Sequence, residues 1–351
     1  MRLYLHIGTE KTGSTAIQAQ LERNRDGLAA QGYALPRFLG DANHRALACA
    51  FISDEASDDF LSARALHTPR ERAEFRRRLL QRLDTDRREA ARHAHSYVIS
   101  SEHFQSRLST AGEVRRFACS VLPLFSEVRV LCYLRRQDRM ALSFYTEKLR
   151  NGYLPATILP LQNLERWAPI LPPFFDFEAL LERWSAACPG ALIEPRIYSR
   201  GALEGGDVVQ DFFAWLGCPA PAAAGALRAN AALSRAGQTA LLAFNRAHGG
   251  DAAGRARSQA LRERLNDFLQ RRAAGSGRLP ARREAEFWLQ AFAAANGRVA
   301  RRWFARGELF DRDLADYPAE STPPDWERAA QLLAEFLAMA AVPQAAPGAA
   351  P

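Results

Sequence analysis

From Arg2 to Leu216, short apolar runs alternate with longer stretches in which apolar positions recur every three or four residues. Arg2–Ile7, Ser96–Ser101, Glu127–Leu134 and Ala191–Arg196 read as strands: each is short, apolar and bounded by turn residues. Ser14–Gln31 places Ile17, Leu21 and Leu28 on one stripe and stops at Gly32, the signature of a helix. Arg70–Ala94 does the same with Phe75, Leu79, Leu80 and Leu83, while its many Arg, Asp and Glu residues form a solvated face. Asp41–Phe51, Asp58–Leu66, Asp176–Ala187 and Asp207–Leu216 complete the helical set. Strands separated by helices imply a mostly parallel sheet covered on both faces, so the expected fold class is α/β. Beyond Asn230 only helical periodicity remains, over Ser234–His248, Ser258–Arg272, Arg282–Arg306 and Asp325–Met339. The expected organisation is an α/β core over 1–230 and a helical C-terminal extension packed on it over 231–340. The uncharged Ala/Pro/Gly-rich tail over 341–351 is expected to be disordered.

Composition narrows the class. With 351 residues, 48% hydrophobic and 25% charged, the chain has ordinary globular composition. No uncharged apolar run approaches the roughly 18 residues of a membrane helix. Arg2–Ile7 leads straight into a Gly-rich turn, so no secretory signal is read there and a cytoplasmic protein without a membrane span is expected. The five cysteines are scattered and never form a C-x-x-C pair, which speaks against a disulfide framework or a Cys-based zinc site. The chain has no HExxH, EF-hand loop or Cys/His cluster, and no metal is expected.

Charge changes the picture more. A net charge of +8 invites a nucleic-acid partner, but 45 of the 47 basic residues are arginines spread among 39 acids, a composition bias that accounts for the excess. No nucleic acid is expected; the modest basic field attracts small anionic ligands. Against this bias the only lysines, Lys11 and Lys148, mark places where a compact point charge serves and a planar fork does not.

Lys11 lies in a strand–turn–helix, Gly8-Thr9-Glu10-Lys11-Thr12-Gly13-Ser14-Thr15, the layout of a phosphate-cradling loop. Gly8 and Gly13 have the spacing of a Walker A loop, but Ser14 stands where the Walker lysine belongs and the lysine has moved inside the loop. That departure argues against an ordinary ATPase. The plain alternative is a corner whose Thr and Ser only cap the helix. After Glu127–Leu134 come Arg135, Arg136 and a helix beginning near Gln137, with Arg139 and Ser143 one turn apart on one face. Arginine with a nearby hydroxyl suits a phosphate monoester, and a helix start with surface arginines is the alternative.

Together the two segments resemble the sulfotransferases that use 3′-phosphoadenosine 5′-phosphosulfate (PAPS). Lys11-Thr12-Gly13-Ser14-Thr15 is similar to their 5′-phosphosulfate loop. Arg135, with Ser143 eight residues on, is similar to their 3′-phosphate motif, and Tyr145 matches a common aromatic there. The family often has Asn-Pro after the first arginine, where this chain has Arg136-Gln137, and Arg139 is shifted by one and takes no role from the resemblance. Arg196-Ile197-Tyr198 and the stretch from Arg228 through Asn230 and Leu233 to Ser234 look like later landmarks of bacterial members. The resemblance implies a P-loop-like fold, PAPS as donor and PAP as product. It further implies an enzyme moving a sulfuryl group to a hydroxyl or amine of an acceptor, a carbohydrate or glycolipid first. Lys11 to Thr15, Arg135, Ser143, Arg228 and Ser234 are the implied nucleotide contacts.

Ser100-Ser101-Glu102-His103-Phe104 follows another strand. In open α/β sheets ligands bind beyond the carboxyl ends of the strands, so Lys11, Glu102 and Arg135 are expected to share a crevice. Attack by an alcohol needs a base, and charge grows on the departing nucleotide, where a cation helps. Lys11 fits the second role. Glu102, His103 and His44 are the candidates for the base; the resemblance favours Glu102, whose other reading is a helix cap. Two other functions stay open: a P-loop kinase-like phosphoryl transferase, which would need magnesium, and a non-catalytic module binding nucleotide or anionic glycan.

Overall fold

The structure, a computed structural model, describes residues 1–40, 42–161, 174–220, 232–248 and 251–341. The chain opens with β1 (Arg2–His6), α1 (Ser14–Arg23), α2 (Arg25–Ala30) and a two-residue β2 (Tyr33–Ala34). Short helices α3 (Arg45–Cys49) and α4 (Asp59–Ser62) precede the long α5 (Pro69–Ala90) and β3 (Ser96–Ser100). Then come α6 (His103–Arg107), α7 (Ala111–Val121), β4 (Glu127–Leu134), α8 (Gln137–Arg150), α9 (Phe177–Ala187), β5 (Leu192–Ile197) and α10 (Val208–Leu216). Helices α11 (Arg235–Ala247), α12 (Ala252–Arg257), α13 (Gln259–Arg272), α14 (Arg282–Phe304) and α15 (Trp326–Ala341) follow.

The five strands form one sheet in the order β2–β3–β1–β4–β5, every neighbouring pair parallel. This is the expected α/β class. From β1 the chain turns toward β2 on one side, and from β4 toward β5 on the other. The outgoing connections therefore diverge between β1 and β4, where an open parallel sheet leaves a crevice at its carboxyl edge.

Local signals explain the boundaries. The expected single helix over Ser14–Gln31 is two, broken at Asn24, whose φ of −104° and ψ of 17° leave the helical range while its side-chain amide joins its own N–H on the Gln20 carbonyl at 2.8 Å. Helix α5 begins with a capping box between Thr68 and Glu71, with Pro69 at its first position. Gly32 has φ 79°, and a Cβ there would stand 2.6 Å from the His95 ring.

The chain divides into two compact units, one drawn from 1–136, 167–229 and 292–311, the other from 137–166, 230–291 and 312–351. The division differs from a cut at 230. In the first unit, Tyr4, Val98, Leu131 and Tyr133 of the sheet pack with Ile17 and Leu21 of α1 and Phe212, Phe213 and Trp215 of α10. Phe51, Phe104, Phe117 and Trp184 form a second aromatic group in the same unit. The second unit is helical, with Leu149, Leu241, Leu265, Phe268, Leu332 and Phe336 among its core residues. Each such side chain contributes about 1.5–3 kcal/mol by leaving water. Among the described residues no helix is long and apolar enough to cross a membrane. Arg228 and most of the tail lie outside the described residues.

Candidate active site

The turn after β1 stays attached to β4 beyond the strand itself. Ile7 donates to the Leu131 carbonyl at 3.0 Å, Tyr133 to the Gly8 carbonyl at 2.7 Å and Thr9 to the Tyr133 carbonyl at 3.1 Å. Inside the loop the buried Thr12 hydroxyl donates to the Thr9 carbonyl at 2.6 Å, so Thr12 staples the loop with its side chain. Ser14 is buried and Thr15 exposed at the start of α1. Gly13, with φ 81° and ψ 16°, caps that helix without any side-chain hydrogen bond, leaving the first-turn N–H groups uncapped by a side chain. A Cβ on Gly13 would stand 2.7 Å from Val208.

Lys11 has φ 65°, a left-handed conformation that costs a non-glycine residue roughly 1–2 kcal/mol. The Arg135 guanidinium offsets this cost: its Nη1 donates to the Lys11 carbonyl at 2.7 Å across 124 residues. The same guanidinium lies 5.4 Å from the centre of the Tyr198 ring. Tyr198 sits just past β5, its N–H donating to the Leu134 carbonyl at 2.8 Å. The ends of β1, β4 and β5 thus meet at Lys11, Arg135 and Tyr198.

Glu102, just beyond β3, borders the same loop. A Cβ on Gly8 would lie 3.1 Å from the Glu102 Cα, so only glycine, here at φ 105°, lets the two segments approach. Glu102 stands at the N-cap position of α6 but makes no side-chain capping bond. Its carboxylate instead accepts from Gln18 Nε2 at 2.8 Å and from Asn43 Nδ2 at 3.1 Å. Asn43 is oriented in turn, since its Oδ1 accepts from the Ser101 hydroxyl at 2.7 Å, whose oxygen accepts from the His103 N–H at 3.3 Å. The backbone of Glu10 is held by Gln105 Oε1 at 3.3 Å.

The two histidine candidates differ. His44 is fully buried and its Nδ1 accepts from the Ser100 N–H at 3.0 Å, the setting of a core histidine; burial lowers its pKa to about 4. His103 is half-buried with its Nδ1 unpartnered, and burial likewise lowers it to about 4 despite the opposing charge of Glu102. A third histidine, His6, was not singled out by its position in β1. It is buried, contacts the Ser100 hydroxyl at 2.8 Å, and burial brings it to about 4.

Other expected contacts are placed as follows. Arg196 donates to the Asp211 carboxylate at 2.7 Å, which also accepts from the Tyr133 hydroxyl. Ser143 and Tyr145 stand on α8, in the second unit. Ser234 caps α11, its hydroxyl accepting from the Gly237 N–H at 3.2 Å. Gln18 and Asn43 escaped the sequence reading as partners of Glu102. Gln18 carried one signal, a polar residue one turn past Ser14 and beside the inward Ile17. Among the described residues no three of His, Cys, Asp and Glu gather as they would around a metal ion.

No family model matches the sequence. An uncharacterised protein of Archaeoglobus fulgidus is 35% identical over 95 residues, 27% of this chain and 24% of that protein. The chain thus spans about a quarter of the length of the curated relative it matches. Among solved structures, a sulfotransferase from Alicyclobacillus acidocaldarius superposes with a TM-score of 0.39 at 15% identity, covering 70% of this chain and 92% of that one.

Proposed function

We propose that the chain is a PAPS-dependent sulfotransferase acting on a hydroxyl or amine of a carbohydrate-like acceptor. The observation that carries this reading is the Arg135–Lys11 hydrogen bond, which joins the two motifs of the resemblance at the β1/β4 crevice. A nucleotide with phosphate at both ends of its ribose needs two anion-binding groups in one place. The start of α1, without a side-chain cap, the Lys11 ammonium and the Arg135 guanidinium supply them. The Thr12 and Ser14 hydroxyls both point at the Thr9 carbonyl, at 2.6 and 3.5 Å, so these residues contribute their backbone N–H groups and Thr15 adds a hydroxyl. Ser143, Arg228 and Ser234 are assigned to the nucleotide on their motif positions alone.

PAPS supplies a sulfuryl group and a stable leaving nucleotide. The chain's residues do the rest. Glu102, aimed by Gln18 and Asn43, accepts the acceptor's proton as its oxygen or nitrogen bonds to sulfur. Lys11, in the loop after β1, would balance the charge that grows on the bridging oxygen as the old S–O bond breaks. Glu102 is preferred to His44, whose Nδ1 is engaged in the core, and, on the resemblance, to His103.

The test is titration of the full chain with PAP without added magnesium, alongside Lys11→Ala and Arg135→Ala, followed by sulfate transfer from labelled PAPS to an acceptor panel. Binding weakened at least about tenfold in each variant is expected, since each loses a charge-assisted contact. Strict dependence on magnesium, or binding untouched by both substitutions, overturns the reading.

A further inference from the structure

The second unit contains a cavity of about 300 Å³ that none of the chemistry above uses. Its apolar wall includes Ile158, Leu159 and Leu242, and its polar wall Arg278, Arg246 and Glu284. That volume is at the lower end of small-molecule sites, which combine apolar walls with a few placed polar groups.

The charges in this wall do not balance. Arg278 is half-buried, yet its guanidinium bonds only neutral groups, the Tyr145 hydroxyl at 3.0 Å and the Thr322 carbonyl at 3.1 Å. No carboxylate among the described residues pairs with it. Arg246 is exposed and lies 5.4 Å from the Trp326 ring centre, again without an acid. Glu284 is the one acid in the wall, and it is occupied at the start of α14: its Oε2 accepts from the Ala281 N–H at 2.7 Å and from the Ser321 hydroxyl. A guanidinium drawn out of water without a counter-charge is costly, and an anion in the cavity removes that cost.

We infer that this cavity binds a small amphipathic anion, with an oxyanion head on Arg278 and Arg246 and an apolar body against Ile158, Leu159 and Leu242. The inference does not depend on the proposed sulfuryl chemistry.

Calorimetric titration of the full chain with naphthyl sulfate, naphthol and inorganic sulfate tests the inference, with naphthyl phosphate and naphthoate as arms that sort the head group. Naphthyl sulfate is expected to bind at least about tenfold more tightly than naphthol or free sulfate, because only it engages both walls. Arg278→Gln should weaken it about tenfold. Ala156→Trp, which fills the cavity from an exposed position and spares the core, should abolish binding with the melting temperature unchanged, and Lys11→Ala should leave binding intact. Equal affinity for naphthol, binding that survives Ala156→Trp, or loss of binding in Lys11→Ala overturns it.

Discussion

Glu102 and Asp58 both lie in the first unit, and their partners differ in kind. Glu102 is held by two neutral amides, Gln18 and Asn43. Asp58 is held by two guanidiniums, Arg107 at 2.7 Å and Arg45 at 3.1 Å, and it also caps α4. Burial pushes the Asp58 carboxyl up, but the Arg107 hydrogen bond and the charges of Arg45 and Arg107 outweigh it and hold it at about 2. Two cations keep a carboxylate ionised and occupied, which suits a structural tie. Amide donors orient a carboxylate without adding positive charge, and leave it a lone pair for a proton. The residue type alone does not separate these outcomes; the surroundings do.

The comparison can be broken most sharply by neutralising each acid. Glu102→Gln should lower kcat by about 10²–10⁴ while PAP affinity and melting temperature hold, read by single-turnover transfer and calorimetry. Asp58→Asn should do the reverse, sparing kcat and lowering stability by about 2–3 kcal/mol in urea unfolding. That lies below the roughly 3–5 kcal/mol of a fully buried pair, because both guanidiniums reach solvent. If Asp58→Asn abolished transfer in a folded protein, the contrast would fail.

Smaller effects sharpen it. Asn43→Ala should lower kcat about tenfold, a loss near that of one hydrogen bond to a charged group. The smallest effect comes from His6 and His44. Both are held neutral by burial, with pKa values lowered to about 4, so between about 6.5 and 4 the unfolded chain binds more protons and stability falls with pH. From pH 7 to pH 6 the loss should be on the order of 1 kcal/mol, measured as the shift in urea midpoint. Asp58, with its lowered pKa, adds its own loss only below about 4.

The strands were legible where burial is deep on both sides. Glu127–Leu134 is a strand over the residues its apolar run marks out, because a central parallel strand needs no alternation. The two-residue β2 was not legible, being too short to show a period, nor was the break at Asn24, where one residue's dihedrals leave the helical range inside a continuous apolar stripe. Lys11, Glu102 and Arg135 could each be read as following a strand. Their surroundings could not: the partners of Glu102 come from 84 and 59 residues away, and no periodicity carries information over that distance. Arg196 shows the converse, for an arginine at a strand end reads as open to a ligand until Asp211 of α10 is seen against it.

Gly8 ties two jobs to one hydrogen atom. Because the space beside its Cα is taken by the Glu102 backbone, a methyl group there would displace the loop after β1 and the Glu102 segment together. Under the proposed function, any effort to retune this protein toward a new acceptor by moving Glu102 will therefore disturb the Lys11 loop as well. Substitutions on the two segments should be strongly epistatic, and a library that varies them one at a time will discard combinations that work only as a pair.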